Sequence, residues 1–173
     1  MATWPDFDPK PALRALTRGD VDFVVVGGIA AILHGSSTLT TDVDIVFAPA
    51  AENLERLGDV LVRLKGRLRG VEDDVPFVPD ARTLRGMDLL TLSTTAGPLD
   101  LLRMPSGAPS YAVLRRRAER YDLGGFEVLV ASVEDLIAMK SAAGRAKDRA
   151  AVEELEVILR LRAELQDRRG SRA

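Results

Sequence analysis

The sequence contains no cysteine, one histidine and one tryptophan, and aromatic residues make up only 5% of its 173 positions. Without cysteine the protein has neither disulfides nor thiolate-bound zinc. The single histidine likewise excludes a histidine-rich metal site. Absence of cysteine fits a reducing compartment, so we expect the protein to be cytoplasmic.

Long apolar runs and a large net charge are also lacking. No apolar run approaches the ~18 residues that predict a transmembrane helix, and residues 1–20 lack the basic and apolar regions of a secretory signal. We therefore expect neither export nor membrane insertion. The formal net charge of -2 gives no overall attraction to nucleic acid, so any phosphate-binding surface must be local.

What remains is the composition of a folded protein, with 46% apolar and 29% charged residues. The length predicts one domain over residues 1–173, because it suffices for one sizeable hydrophobic core and is too short for two. We assign the core to about 13–131 and a C-terminal helical part to about 132–167.

Hydrophobic periodicity and turn residues predict the order of elements along the chain. Strands are predicted at 21–26, 42–48, 87–94, 99–104 and 126–131. Helices are predicted from Pro9 or Pro11 to Thr17 and at 29–35, 50–65, 110–120, 133–143 and 147–166. The segment 66–86 is predicted to be a loop with at most a short helix, and 167–173 a frayed tail.

Two aspartates interrupt the second apolar strand. Asp42 and Asp44 are separated by one residue, so a strand places both side chains on one face, ~7 Å apart along the chain. Two like charges side by side are unfavourable unless a cation lies between them. The spacing alone fits a metal site and two solvated surface residues equally well, so the choice depends on the neighbouring motifs.

A glycine pair precedes these aspartates. Gly27 and Gly28 follow the apolar strand "VDFVVV" and open the helix "IAAILH". A glycine at a helix N-terminus lets a phosphate approach the backbone N–H groups, and the helix dipole favours the anion. Alone, a Gly-Gly turn is a weak signal; beside Asp-x-Asp it indicates a site for a metal-bound phosphate.

This arrangement resembles the nucleotidyltransferase superfamily that is built on the DNA polymerase β fold. The family motif is an apolar residue, Gly, then Gly or Ser, a spacer, and Asp-x-Asp, which Val26, Gly27, Gly28, Asp42 and Asp44 match in this chain. The resemblance implies an α/β (α+β) nucleotidyltransferase fold, in which helices flank a mixed twisted sheet and further helices form the C-terminus.

The superfamily also has a third carboxylate on a later, neighbouring strand. In this chain we assign that role to Asp100, which lies between apolar residues in "GPLDLL" after a predicted hairpin turn. Asp88 is the alternative, although it lies where a strand begins and an ordinary solvated aspartate is equally expected there.

A second block is similar to AbiEii-type bacterial proteins, which include toxins of toxin-antitoxin pairs. "DLIAMKSAAGRAKDRAAVEEL" contains a lysine followed by Gly-Arg-x-Lys-Asp, as in that family. It brings Lys140, Arg145, Lys147 and Asp148 close to a predicted helix break. Together the two blocks are much more specific than either alone, and the resemblance spans about 13–155.

The resemblance implies a Mg²⁺-dependent enzyme that moves a nucleoside monophosphate from a nucleoside triphosphate to an acceptor hydroxyl. Asp42 and Asp44 would hold two Mg²⁺ ions, and Asp100 would complete the site and help to deprotonate the acceptor. Lys140 would neutralise charge on the phosphates during the reaction. Further contacts to the triphosphate are implied for Gly27, Gly28, Ser36, Ser37, Arg145 and Lys147.

The resemblance implies a tRNA or protein acceptor, and a cognate antitoxin if the protein is a toxin. Two departures keep other functions open. Thr38 stands where the family often has arginine, four residues before the first aspartate, and Ala151 stands where it often has another aspartate. The alternatives are a small-molecule nucleotidyltransferase of the antibiotic-modifying kind and a degenerate protein that binds nucleotide or a partner without turnover.

Overall fold

The computed structural model describes residues 7–71 and 77–170, without the side chains of residues 146, 147, 169 and 170. A mixed sheet with helices against it runs through this part of the chain. The strands are β1 (Phe23–Val26), β2 (Val43–Phe47), β3 (Arg67–Leu68), β4 (Leu89–Thr94), β5 (Gly97–Leu102), β6 (Glu119–Asp122) and β7 (Glu127–Val130). Their order across the sheet is β3-β4-β5-β2-β1-β7-β6.

Helices lie before β1, in four of the connections between strands, and after β7 at the C-terminal end of the described residues. They are α1 (Lys10–Arg18), α2 (Gly27–His34), α3 (Ala51–Arg63), α4 (Ala81–Gly86), α5 (Tyr111–Arg117), α6 (Val133–Ala143) and α7 (Ala146–Gly170). The predicted α/β (α+β) fold is therefore confirmed, with a mixed sheet and C-terminal helices. Among the described residues no helix has the length and apolarity needed to span a bilayer.

Strand β1, which lies next to the central strand β2, is fully apolar and lies in the core. All four residues of β1 are buried, as expected for a strand that is covered on both faces. β1 pairs antiparallel with β2 and parallel with β7, and β2 pairs parallel with β5. The parallel pairing of β2 with β5 places Asp44 directly beside Asp100.

Three parts of the secondary structure differ from the prediction. Helix α7 continues to Gly170, through the first four residues of the segment that was predicted to be a frayed tail. The helix predicted at 110–120 ends at Arg117, and Glu119–Asp122 forms β6. This segment is polar and lies at the sheet edge, where backbone pairing with β7 outweighs its local preference. The two-residue strand β3 lies inside the predicted loop 66–86, of which 72–76 lie outside the described residues.

Candidate active site

Three aspartates meet where β2 and β5 run side by side. Asp44 and Asp100 are direct partners in the parallel register, so their side chains leave the sheet on one face. The carboxylate of Asp42, just before β2, lies 3.7 Å from the Nη2 atom of Arg69. That same nitrogen lies 2.6 Å from Asp100. The three predicted carboxylates are therefore neighbours.

Asp44 lies in the most strongly perturbed environment of the three. Burial raises the pKa of its carboxyl to about 6, and repulsion from Asp42 and Asp100 contributes to the rise. A hydrogen bond from the Gly28 backbone N–H and the charge of Lys140 partly oppose it. Burial also raises the pKa of Asp100, against the opposing charge of Arg69.

The raised pKa of Asp44 predicts a pH dependence of stability. The folded protein binds this proton more readily than the unfolded chain. The resulting contribution to the free energy of unfolding is fully present below the ordinary aspartate pKa of 3.8 and is lost as the pH rises through about 6. We expect the unfolding free energy of the wild type, relative to Asp44→Asn, to fall by about 2 to 3 kcal/mol between pH 4 and pH 7.

Urea denaturation of both proteins across this range measures that difference. Burial lowers the pKa of His34, which gives the opposite trend in the same window. His34 is present in both proteins, so its effect cancels. A flat difference between the two curves would show that the Asp44 carboxyl titrates normally.

The glycine turn is held against the aspartates. Gly27 has φ of +65°, a conformation that favours glycine, and a Cβ at this position would collide with the Asp44 carboxylate. A Cβ on Gly28 would lie 2.6 Å from Cβ of Thr40. Both glycines are therefore required by close approach at the start of α2.

Sequence reasoning missed Thr40. Its hydroxyl donates to Oδ1 of Asp42 at 2.8 Å and fixes the orientation of that carboxylate. Threonine hydroxyls often bond to nearby backbone groups, so a threonine at this position gave only a weak signal of a role in the site. The close approach of Thr40 to Gly28 could not be inferred from the sequence.

A cavity of about 430 Å³ opens beside the aspartates. Asp44 and Gly27 line one part of it, and Lys140 and Arg145 line another. Its other walls are largely apolar, from Leu89, Leu102, Met104, Pro105, Leu136 and Met139. The cavity thus combines a carboxylate, a helix N-terminus and two cations with an apolar surface.

Asp148 organises the two cations. It is buried, accepts from Nε of Arg145 at 2.7 Å and lies 3.8 Å from Nζ of Lys140. The predicted grouping of Lys140, Arg145 and Asp148 at the break between α6 and α7 is therefore present. The side chain of Lys147 lies outside the described part of the structure.

Ser36 and Ser37 have a partner that the sequence did not indicate. The Ser36 hydroxyl donates to Glu154 on α7 at 2.5 Å, and the Ser37 backbone N–H donates to the same carboxylate at 2.7 Å. These hydrogen bonds lower the pKa of Glu154. Both serines thus bind an anion here, but that anion belongs to the protein itself.

Asp88, the alternative third carboxylate, differs clearly from Asp100. Asp88 is exposed and forms an ion pair with Arg103 at 2.7 Å, whereas Asp100 is buried next to Asp44. Asp88 lines the cavity from the rim. The strand register therefore favours Asp100 as the third member of the cluster.

The donor chemistry at this position suits a magnesium ion. Carboxylate oxygens are the ligands Mg²⁺ prefers, and the mutual repulsion that helps to raise the Asp44 pKa is the electrostatic cost a cation would remove. Within residues 7–71 and 77–170, however, no three His, Asp or Glu side chains are arranged to hold one ion. Arg69 currently supplies the positive charge between Asp42 and Asp100.

Comparison with known proteins relates this architecture to enzymes of known fold. No family model matches the sequence, and a search of curated proteins finds no relative. The lincosamide antibiotic adenylyltransferase LnuA, with lincomycin bound, matches with a TM-score of 0.58 at 14% identity, covering 86% of this chain and 94% of that one.

The aminoglycoside-bound structure of ANT(2")-Ia, in complex with adenylyl-2"-tobramycin, gives a TM-score of 0.51 at 17% identity, covering 90% of this chain and 93% of that one. The resemblance to AbiEii-type proteins stays a prediction. With its mixed sheet and its carboxylates on neighbouring parallel strands, the chain has the nucleotidyltransferase fold.

Proposed function

We propose that the protein transfers a nucleoside monophosphate from a nucleoside triphosphate to an acceptor hydroxyl. The observation that carries this proposal is the register of Asp44 with Asp100 beside the Gly27 turn, with Lys140 lining the same cavity. Carboxylates that can hold a divalent cation, N–H groups for phosphate and a lysine for charge neutralisation are the elements this chemistry needs.

In the proposed reaction the acceptor oxygen attacks the α-phosphorus and the bond to the β-phosphate breaks, releasing pyrophosphate. The proton of the acceptor goes to Asp100, whose pKa is raised by burial. Asp42 and Asp44 would hold Mg²⁺, two ions when nucleotide is bound, and Asp100 would complete the metal site. When bound, Mg²⁺ would stabilise the negative charge on the attacking and leaving oxygens.

The phosphates would lie between the glycine turn and the cations of α6 and α7. The Gly27 and Gly28 backbone would approach the triphosphate closely, and Lys140 and Arg145 would neutralise its charge. Lys147 is assigned the same role from the sequence motif.

Ser36 and Ser37 would join these contacts by exchanging Glu154 for a phosphate oxygen. The hydroxyl and backbone N–H that the carboxylate now uses are donors of the kind that phosphate needs.

The sequence motifs favour tRNA or a protein side chain as the acceptor. They also favour an AbiEii-type toxin that acts in the cytoplasm and has a cognate antitoxin. A small-molecule acceptor is the second candidate. The cavity of about 430 Å³ with largely apolar walls favours it, as does the likeness to two structures whose names identify antibiotic substrates.

Incubation with α-³²P-labelled nucleoside triphosphates and Mg²⁺ tests the function. Separate reactions contain total tRNA, lysate protein, and a panel of lincosamides and aminoglycosides. We expect label to move to one acceptor class, and removal of Mg²⁺ by EDTA to stop the transfer. The labelled class shows whether the acceptor is a macromolecule, either tRNA or protein, or a small molecule.

Two results would count against transfer. Absence of label from every acceptor with all four nucleotides would contradict the proposal. Nucleotide binding by calorimetry without any product would instead favour the degenerate binding protein that Thr38 and Ala151 leave open.

A further inference from the structure

Arg69 lies across two of the three carboxylates of the candidate site. It directly follows β3, and its backbone N–H donates to the carbonyl of Thr91 at 2.8 Å. Thr91 is the register partner of Asp100 across β4 and β5. The sheet therefore holds the backbone of Arg69 within reach of Asp100, so the contact is part of the fold.

The two contacts of Arg69 differ in strength. Its Nη2 atom lies 2.6 Å from Oδ1 of Asp100, which is a short charge-assisted hydrogen bond. The same atom lies 3.7 Å from Oδ2 of Asp42, which is an ion pair beyond hydrogen-bonding distance. Because the Asp100 side chain is only 13% exposed, its attraction to the guanidinium is screened less than a surface pair would be.

A divalent cation at this position would need the oxygens that Arg69 now contacts. The described residues contain no group of three His, Asp or Glu side chains that is placed to hold one ion. A guanidinium and a Mg²⁺ ion between Asp42 and Asp100 would also repel each other. Arg69 and the metal are therefore alternative partners of the same carboxylates.

We propose that Arg69 is an internal counter-cation that a divalent metal must displace from Asp42 and Asp100. The proposal rests on the proposed function in taking a divalent metal to be required there. Arg69 stabilises the carboxylates of the metal-free protein and weakens metal binding by competition. Its role is that of a positioning residue that sets the metal affinity of the site.

The side chain can leave without disturbing the sheet. It is 33% exposed, and arginine carries its charge on a flexible stem that can swing toward solvent. The backbone hydrogen bond to Thr91 involves the main chain alone and survives this movement. Displacement therefore costs the ion pairs and leaves the strand pairing intact.

Manganese binding to the nucleotide-free protein tests the competition. Mn²⁺ is titrated into the wild type, Arg69→Ala and Arg67→Ala, and free Mn²⁺ is measured by electron paramagnetic resonance. We expect the Kd for Mn²⁺ to fall about tenfold or more in Arg69→Ala, because the competing charge-assisted hydrogen bond is gone. Arg67 is exposed on the same edge strand, so its removal controls for the change in net charge.

Further variants separate competition from a structural role. Because Arg69→Ala leaves the buried Asp100 carboxylate without its cation, Arg69→Gln, which retains a hydrogen-bond donor, is measured alongside it. We expect Arg69→Gln to bind Mn²⁺ more tightly too. The double variant Arg69→Ala/Asp100→Asn is expected to lose the gain. Equal or weaker Mn²⁺ binding by both Arg69 variants, or no measurable binding by any protein, would overturn the proposal.

The transfer assay is run on the same preparations, so the two proposals can fail separately. Tighter Mn²⁺ binding by the Arg69 variants without any nucleotide transfer would leave the competition standing and refute the function. Transfer by the wild type together with unchanged Mn²⁺ affinity in the variants would support the proposed function and refute the competition.

Discussion

Asp44→Asn is expected to abolish nucleotidyl transfer while making the protein more stable. Loss of a carboxylate that is proposed to bind the metal should lower the rate about a thousandfold or more. At pH 7 the wild type keeps Asp44 ionised against burial and against Asp42 and Asp100, which hold its pKa at about 6. A neutral amide removes that cost and should raise the unfolding free energy by about 2 to 3 kcal/mol.

The measurements are the labelled transfer assay and urea denaturation at pH 7. Asparagine keeps the size of aspartate and can still accept the hydrogen bond from the Gly28 backbone N–H. Asp59→Asn, at an exposed position on α3, is the control and should leave stability within about 0.5 kcal/mol. A destabilised, inactive Asp44→Asn would instead mean that this carboxylate supports the fold.

Gly27→Ala is expected to be the most destabilising single-methyl substitution in the site. The backbone at φ +65° costs about 1 to 2 kcal/mol for alanine. The added methyl group also collides with the Asp44 carboxylate and must displace it. We expect a total loss of about 2 to 4 kcal/mol of unfolding free energy, together with loss of transfer activity.

Gly144→Ala isolates the contribution of the collision. Gly144 has nearly the same φ, +64°, but a Cβ there would meet no other group within 4 Å. Gly144→Ala should therefore lose only the free energy of the strained backbone conformation, about 1 to 2 kcal/mol of unfolding free energy. Equal unfolding free energies for the two variants would show that the Asp44 carboxylate yields to the methyl group at no cost.

The sequence predicted the parts of the site that depend on local spacing. Asp42 and Asp44 are predicted to lie together because side chains alternate along a strand, and they are neighbours although Asp42 lies just before β2. Gly27 is required by a turn between an apolar strand and a helix. The grouping of Lys140 with Arg145 followed from the break at Gly144, which is confirmed by its left-handed conformation. Each of these features depends on residues that lie close together in the sequence.

Apart from Asp100, which the family resemblance assigned to the site, contacts between distant segments were not predicted. Nothing near Arg69 indicates that it meets Asp100, 31 positions away, since it lies beside a two-residue strand in a segment predicted as loop. Glu154 lies on a face of α7 that the sequence pattern predicts to be polar. Its hydrogen-bonding partner Ser36 lies 118 positions away in the sequence. β6 was missed because its edge pairing is a tertiary effect.

The residues named as metal and phosphate ligands stay predictions that rest partly on the family resemblance. The sequence by itself determined the order of most elements and the apolar core strands. These depend on periodicity and on side-chain chemistry, both of which act over short distances. Only the tertiary structure decided that Asp100 is the partner of Asp44 and that Arg69 and Glu154 provide the opposing charges. Strand register and the arrangement of helices on the sheet set those contacts, because both are fixed by packing across the whole fold.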